Sequence, residues 1–113
     1  MLVLNRFVVP PGAQEGFAAR AHAALAALAE RPGYLSGRLT RALDDPASWT
    51  LVTEWESVGA YRRALGGFEV KVHATPLLSE SLDEPSAYET LASAAPGGEV
   101  VVTTSDRAPD PWG

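Results

Sequence analysis

The sequence predicts an α+β domain with the element order β-α-β-β-α-β, and three stretches carry that prediction. Leu2 to Val9 alternates like a strand and stops at Pro10-Pro11-Gly12, a strong breaker. Ala13 to Glu30 is alanine-rich, which favours helix, and its apolar residues fall at helical spacing. In LVTEWESVGAYRR, Leu51 to Arg63, strand-like alternation changes to helical spacing at Trp55-Glu56-Ser57.

Each element follows from its own residues. In the first strand, alternation puts Val3, Asn5, Phe7 and Val9 on one face and Leu2, Leu4, Arg6 and Val8 on the other. Phe17, Ala21, Leu25 and Leu28 form the expected buried stripe of the first helix, which Pro32-Gly33 ends. Tyr34 to Leu43 reads as a second strand and Trp49 to Glu56 as a third. The turn residues Asp44-Asp45-Pro46-Ala47-Ser48 join them into an antiparallel hairpin. Ser57 is placed to cap the second helix, because its hydroxyl can accept from an unpaired amide of the first turn. Val58, Tyr61, Leu65 and Phe68 line that helix at intervals of three and four. Phe68 to His73 fits a short strand or a continuation of the helix, and Pro76 closes it. Ser86 to Leu91 reads as the fourth strand. This order is the ferredoxin-like arrangement, a four-stranded antiparallel sheet with two helices on one face. Its other face carries Leu2, Leu4 and Val8, and a bare apolar face of that kind implies a homodimer packed sheet to sheet.

The chain divides into a folded domain over 1–92 and a tail over 93–113, which is rich in small and polar residues. Within the tail, Val100 to Thr104 is a candidate extra edge strand, on its own sheet or on a partner chain.

Composition narrows the function. With 113 residues the chain makes one domain with a modest core. The formal charge is −5 and Lys71 is the only lysine, so the phosphate neutralisation that nucleic-acid binding requires is not provided. Cysteine is absent, which removes thiolate catalysis, disulfides and cysteine metal sites. The opening MLVLNRF reads as a strand rather than a signal peptide, and no apolar run is long enough to span a bilayer. The expectation is a cytoplasmic domain that binds neither nucleic acid nor membrane. Nucleophile-elbow, phosphate-loop and dinucleotide motifs are also missing.

Arg31-Pro32-Gly33-Tyr34-Leu35, then the hairpin ending Thr53-Glu54-Trp55-Glu56-Ser57, then Tyr61, resemble the antibiotic biosynthesis monooxygenase (ABM) superfamily. The resemblance runs from residue 2 to about 92. It implies a dimeric α+β barrel and one of two chemistries. The first is cofactor-independent oxygenation of a small planar aromatic or quinone-like compound. The second is heme binding or cleavage. A third reading, from a different class, is a non-catalytic dimeric module that binds a small molecule or stabilises a partner.

The heme-cleaving relatives use an asparagine on strand one, a tryptophan on helix two and an axial histidine after it. Asn5 matches the first, seven residues before Gly12, and His73 matches the last by its distance from the Trp-Glu-Ser seam. The tryptophan position, nine residues before His73, holds Ala64, so the ring that presses on the porphyrin is absent. Asn5 and His73 are therefore the candidate catalytic residues, Asn5 to orient a carbonyl or dioxygen and His73 to take a phenolic proton or, with heme, to bind iron. Phe17, Tyr34, Tyr61, Ala64 and Phe68 are the candidate walls of a mostly apolar pocket. Trp55 is read as a landmark of the fold, a large apolar body in the core. Arg62 and Arg63 are read as a solvated helix face, and Arg41 as half of a rim salt bridge.

Overall fold

The computed structural model of the chain describes residues 1–103. Strand β1 (Leu2–Val8) lies inside an antiparallel sheet of order β2-β3-β1-β4. It pairs along its whole length with β3 (Ser48–Trp55), from Leu2 opposite Glu54 to Val8 opposite Ser48. Strand β2 (Tyr34–Arg41) pairs with the far side of β3, with a register shift between Tyr34 and Ser36. Alternation sorts the sheet as expected: Val3, Asn5, Phe7, Trp49, Leu51, Thr53 and Trp55 are all buried on the helix side. The turn between β2 and β3 is set by Asp45, whose carboxylate accepts from the Ala47 amide at 3.1 Å and whose carbonyl accepts from the Ser48 amide at 3.0 Å.

Helix α1 (Gln14–Ala29) follows a 3₁₀ turn over Pro11–Ala13. Its buried residues are Phe17, Ala21, Ala24, Ala27 and Leu28, so small side chains let the helix axis approach the sheet while Phe17 fills the wide end. Ser57 caps α2 (Val58–Ala64), its hydroxyl accepting from the Ala60 amide at 3.1 Å. Gly66 and Gly67 then break the chain, and Phe68 to His73 is helix, α3, rather than strand. A last turn, α4 (Thr75–Leu78), carries Leu77 inward beside Val70 and Ala74. Phe68 leaves the stripe expected of it. It opens α3 beyond the glycine break and is 75% exposed, so it packs with neither Tyr61 nor Leu65 on one helix face.

Strand β4 is shorter than the sequence suggests, only Ala87–Tyr88. Tyr88 already faces Leu2 at the start of β1, so residues beyond it have little strand left to pair with. On the other side, Pro85 offers no amide to a ladder. The chain from 82 to 86 still tracks β1 through two hydrogen bonds, Leu4 amide to Ser86 carbonyl at 2.6 Å and Leu82 amide to Arg6 carbonyl at 2.8 Å. In the tail, β5 (Ala92–Ser93) pairs with β6 (Val101–Val102) in a separate two-stranded ribbon. The expected strand at Val100 thus forms in part but joins its own chain instead of extending the main sheet, and Thr104 lies outside the described residues. Among the described residues no element packs over the second sheet face, where Val8 is 67% exposed, Leu35 and Tyr88 are also open, and Leu2 and Leu4 are partly exposed.

Candidate functional site

Two aromatic groups stand on the helix side of the sheet, one at each end of β3. At one end Phe17 packs on Phe7 with centroids 5.0 Å apart and meets Trp49 edge-on at 5.6 Å. The Trp49 indole donates to the Pro46 carbonyl at 2.8 Å, and the Arg41 guanidinium lies over its ring. At the other end Trp55 is fully buried, with Tyr34 edge-on at 5.4 Å and Tyr61 tilted against it at 5.5 Å. The Trp55 indole donates to Thr53 Oγ1 at 2.8 Å, so its polar atom is satisfied on its own strand. Burial pushes both the Tyr61 and the Tyr34 hydroxyls above the usual phenol range, which keeps them neutral hydrogen-bonding groups.

Asn5 lies between these ends, 7% exposed and opposite Leu51. Its Nδ2 donates to Ser81 Oγ at 3.5 Å, and Ser81 Oγ donates in turn to the Leu78 carbonyl at 2.8 Å. The serine proton is thus committed to the carbonyl, and the serine oxygen accepts from the amide.

The residues singled out in the sequence separate into distinct places. Asn5, Phe17, Tyr34, Tyr61 and Ala64 belong to the core or line it. His73 stands outside that group: Val70, Ala74 and Leu77 take the inward stripe, and the imidazole Nε2 sits 3.2 Å from Glu69 one turn back, nearly half exposed. Phe68 is on the surface. No hydrogen bond joins Asn5 to His73 among the described residues. The imidazole meets a carboxylate on the exposed side of α3, while Ala64 is packed in the core. Among the described residues no group of three His, Asp or Glu side chains could hold a metal ion. Among the described residues no helix is long and apolar enough to cross a membrane.

The sequence did not signal a cavity of about 520 Å³ between α2 and β4, lined by Met1, Val58, Arg62, Ala87, Tyr88 and Glu89. It adjoins the Trp55 group through Met1, whose carbonyl accepts from the Trp55 amide at 2.8 Å and whose nitrogen donates to the Trp55 carbonyl at 3.1 Å. Ala87 pairs with Val3, on the same face of β1 as Asn5. The volume lies within the range of small-molecule sites, and the lining sets the apolar Met1, Val58 and Ala87 beside the polar Arg62, Tyr88 and Glu89.

The sequence pattern of the family described as antibiotic biosynthesis monooxygenase matches residues 1–74. The chain belongs to that family. Among solved structures it resembles SnoaB, a cofactor-independent oxygenase from Streptomyces nogalater, at 32% identity over 80% of this chain and 94% of that one, with a TM-score of 0.55. A variant of SnoaB matches at 26% identity over 95% of this chain and 93% of that one, with a TM-score of 0.63. The fold is shared more widely in the family's structural neighbourhood. Rv0793 from Mycobacterium tuberculosis, at 19% identity, aligns over 95% of this chain and 97% of its own with a TM-score of 0.61. No curated protein matches the chain in sequence.

Proposed function

We propose that this member of the ABM family is a cofactor-independent monooxygenase that takes a small planar aromatic or quinone-like compound into the cavity between α2 and β4. The observation that carries this reading is the likeness to SnoaB, at 32% identity over most of both chains. The cavity supports it by size and by its position beside the Trp55 group.

In such chemistry the substrate itself reduces dioxygen. For an anthrone, the ring methylene loses two hydrogens and gains one oxygen atom, and the second oxygen leaves as water. The protein's part is to bind the ring, exclude water and orient the carbonyl. Asn5 is the proposed orienting amide: it is buried on the helix side of β1, about 7 Å along the strand from Val3, whose neighbour Ala87 lines the cavity. His73 is assigned no step.

Oxygen uptake with anthrone substrates, using chelator-treated protein without added cofactor, tests the reading. Uptake matched one-to-one by quinone formation is expected, with Asn5→Ala lowering turnover more than binding. Binding with no uptake for any such substrate would leave a non-catalytic binding module instead. The uncovered sheet face, with Val8, Leu35 and Tyr88 exposed, supports a homodimer packed sheet to sheet, for which sedimentation should give twice the chain mass.

A further inference from the structure

The arginines of this protein are treated unequally. Arg6 grips Glu84 with two nitrogens, at 2.5 and 3.1 Å, and Arg20 grips Glu80 with two, at 2.7 and 2.8 Å. Each is a forked guanidinium met by a forked carboxylate. Arg62, which lines the cavity, has no such partner: among the described residues no hydrogen bond or ion pair reaches it. The local sequence explains why. Its neighbours one turn away on α2 and beyond are Val58 and Gly59 on one side and Leu65 and Gly66 on the other, none of them acidic. The cavity's own carboxylate, Glu89, already has an interaction of its own, and the Tyr88 hydroxyl donates to the Pro85 carbonyl at 2.9 Å. A cationic fork thus stands among the residues of a cavity that it shares with Met1, Val58, Ala87, Tyr88 and Glu89, in a chain of net charge −5.

We propose that Arg62 selects an aromatic acid, a planar ring system whose carboxylate takes the place that Glu84 and Glu80 take on Arg6 and Arg20. This rests on the reading that the cavity between α2 and β4 is where the ligand binds. Guanidinium and carboxylate match in plane and spacing, so the pair can form two parallel hydrogen bonds. The rings would lie along Val58, Ala87 and the Met1 side chain, and the acid would face α2.

The test compares two probes on the full chain by calorimetry: anthraquinone-2-carboxylate and its methyl ester. The acid is expected to bind about tenfold tighter than the ester, the yield of one charge-assisted hydrogen-bond pair. Arg62→Gln should remove that preference, so that acid and ester bind alike. Arg62→Lys should restore part of it, and Arg63→Gln, a neighbouring charge outside the cavity lining, should leave it intact. Higher salt should shrink the preference. Equal binding of acid and ester to the wild type, or an acid preference that survives in Arg62→Gln, would overturn the proposal. If neither probe binds, the cavity reading falls and the proposal with it. Arg62-dependent acid binding without oxygen uptake would uphold the proposal while removing the oxygenase assignment.

Discussion

The two ends of β3 use the same materials and reach opposite results. At the Trp49 end, Phe7, Phe17 and Trp49 close on one another, the indole is tied to Pro46, and Arg41 lies over the ring. The arginines of β1 and α1, Arg6 and Arg20, hold the segment after α4 through Glu84 and Glu80. At the Trp55 end the ring is as deeply buried, yet packing stops one residue away at Met1, a cavity follows, and Arg62 stands at its rim unmatched. One end completes its contacts within the chain, and the other leaves a cavity and an arginine without an acidic partner among the described residues. A tryptophan's burial therefore says little about function, whereas the state of the charges around it says more.

The sharpest way to break that comparison is to remove each tryptophan. Trp55→Ala and Trp49→Ala should each cost about 3–5 kcal/mol in urea unfolding, the usual range for a buried aromatic. Only Trp55→Ala should also abolish binding of aromatic probes to the cavity, measured under conditions where both variants remain folded. Equal loss of binding in Trp49→Ala would mean that the two ends are not separable.

A smaller effect is expected at Gly33, where the chain enters β2 beside Tyr34. Its φ of +87° is one that side chains with a Cβ rarely adopt, and a Cβ there would lie 2.5 Å from that of Ala60 on α2. Gly33→Ala should cost about 1–3 kcal/mol, from backbone strain and overpacking together. Adding Ala60→Gly removes the collision but not the strained φ, so the double variant should recover only part of the loss. Full recovery would assign the whole effect to packing. The substitution should also weaken cavity binding, since α2 carries both Val58 and Arg62.

What the sequence revealed and what it hid follow one division. Alternation in β1 and β3, the Asp45 turn and the Ser57 cap are local, each decided within a few residues, and all form as read. The length of β4 is decided by where β1 begins, some eighty positions earlier, and no feature of Ser86 to Leu91 records that. Phe68 to His73 alternates well enough for a strand, but Val70, Ala74 and Leu77 bury better as one helical stripe against α1, which turns His73 outward. The cavity draws on Met1, on α2 and on β4, and its lining residues are individually ordinary. Arg62 is exposed, as its reading as part of a solvated face has it, and its lack of an acidic partner shows only once the acidic residues are placed in space.

The smallest expected effect concerns the paired arginines of the closed end. Hydrogen bonds from Arg20 and Arg6 hold the Glu80 and Glu84 carboxyls below their ordinary value of 4.5. A carboxyl depressed in the folded state stabilises the fold above its unfolded value and loses that contribution as pH falls through its lower folded value. These two pairs therefore contribute nothing pH-dependent between pH 7 and about 5, and their contribution fades only in acid below about 4.5. Both pairs are exposed, so the change is modest and weakens with salt. Glu80→Gln with Glu84→Gln should flatten the acid limb of the stability curve, with little change at pH 7. Binding of a neutral aromatic probe at the Trp55 end should be the same in this variant and the wild type at neutral pH, because neither carboxylate lines the cavity. A binding loss that tracks these two glutamates would join the ends into one cooperative unit and remove the basis for treating them separately.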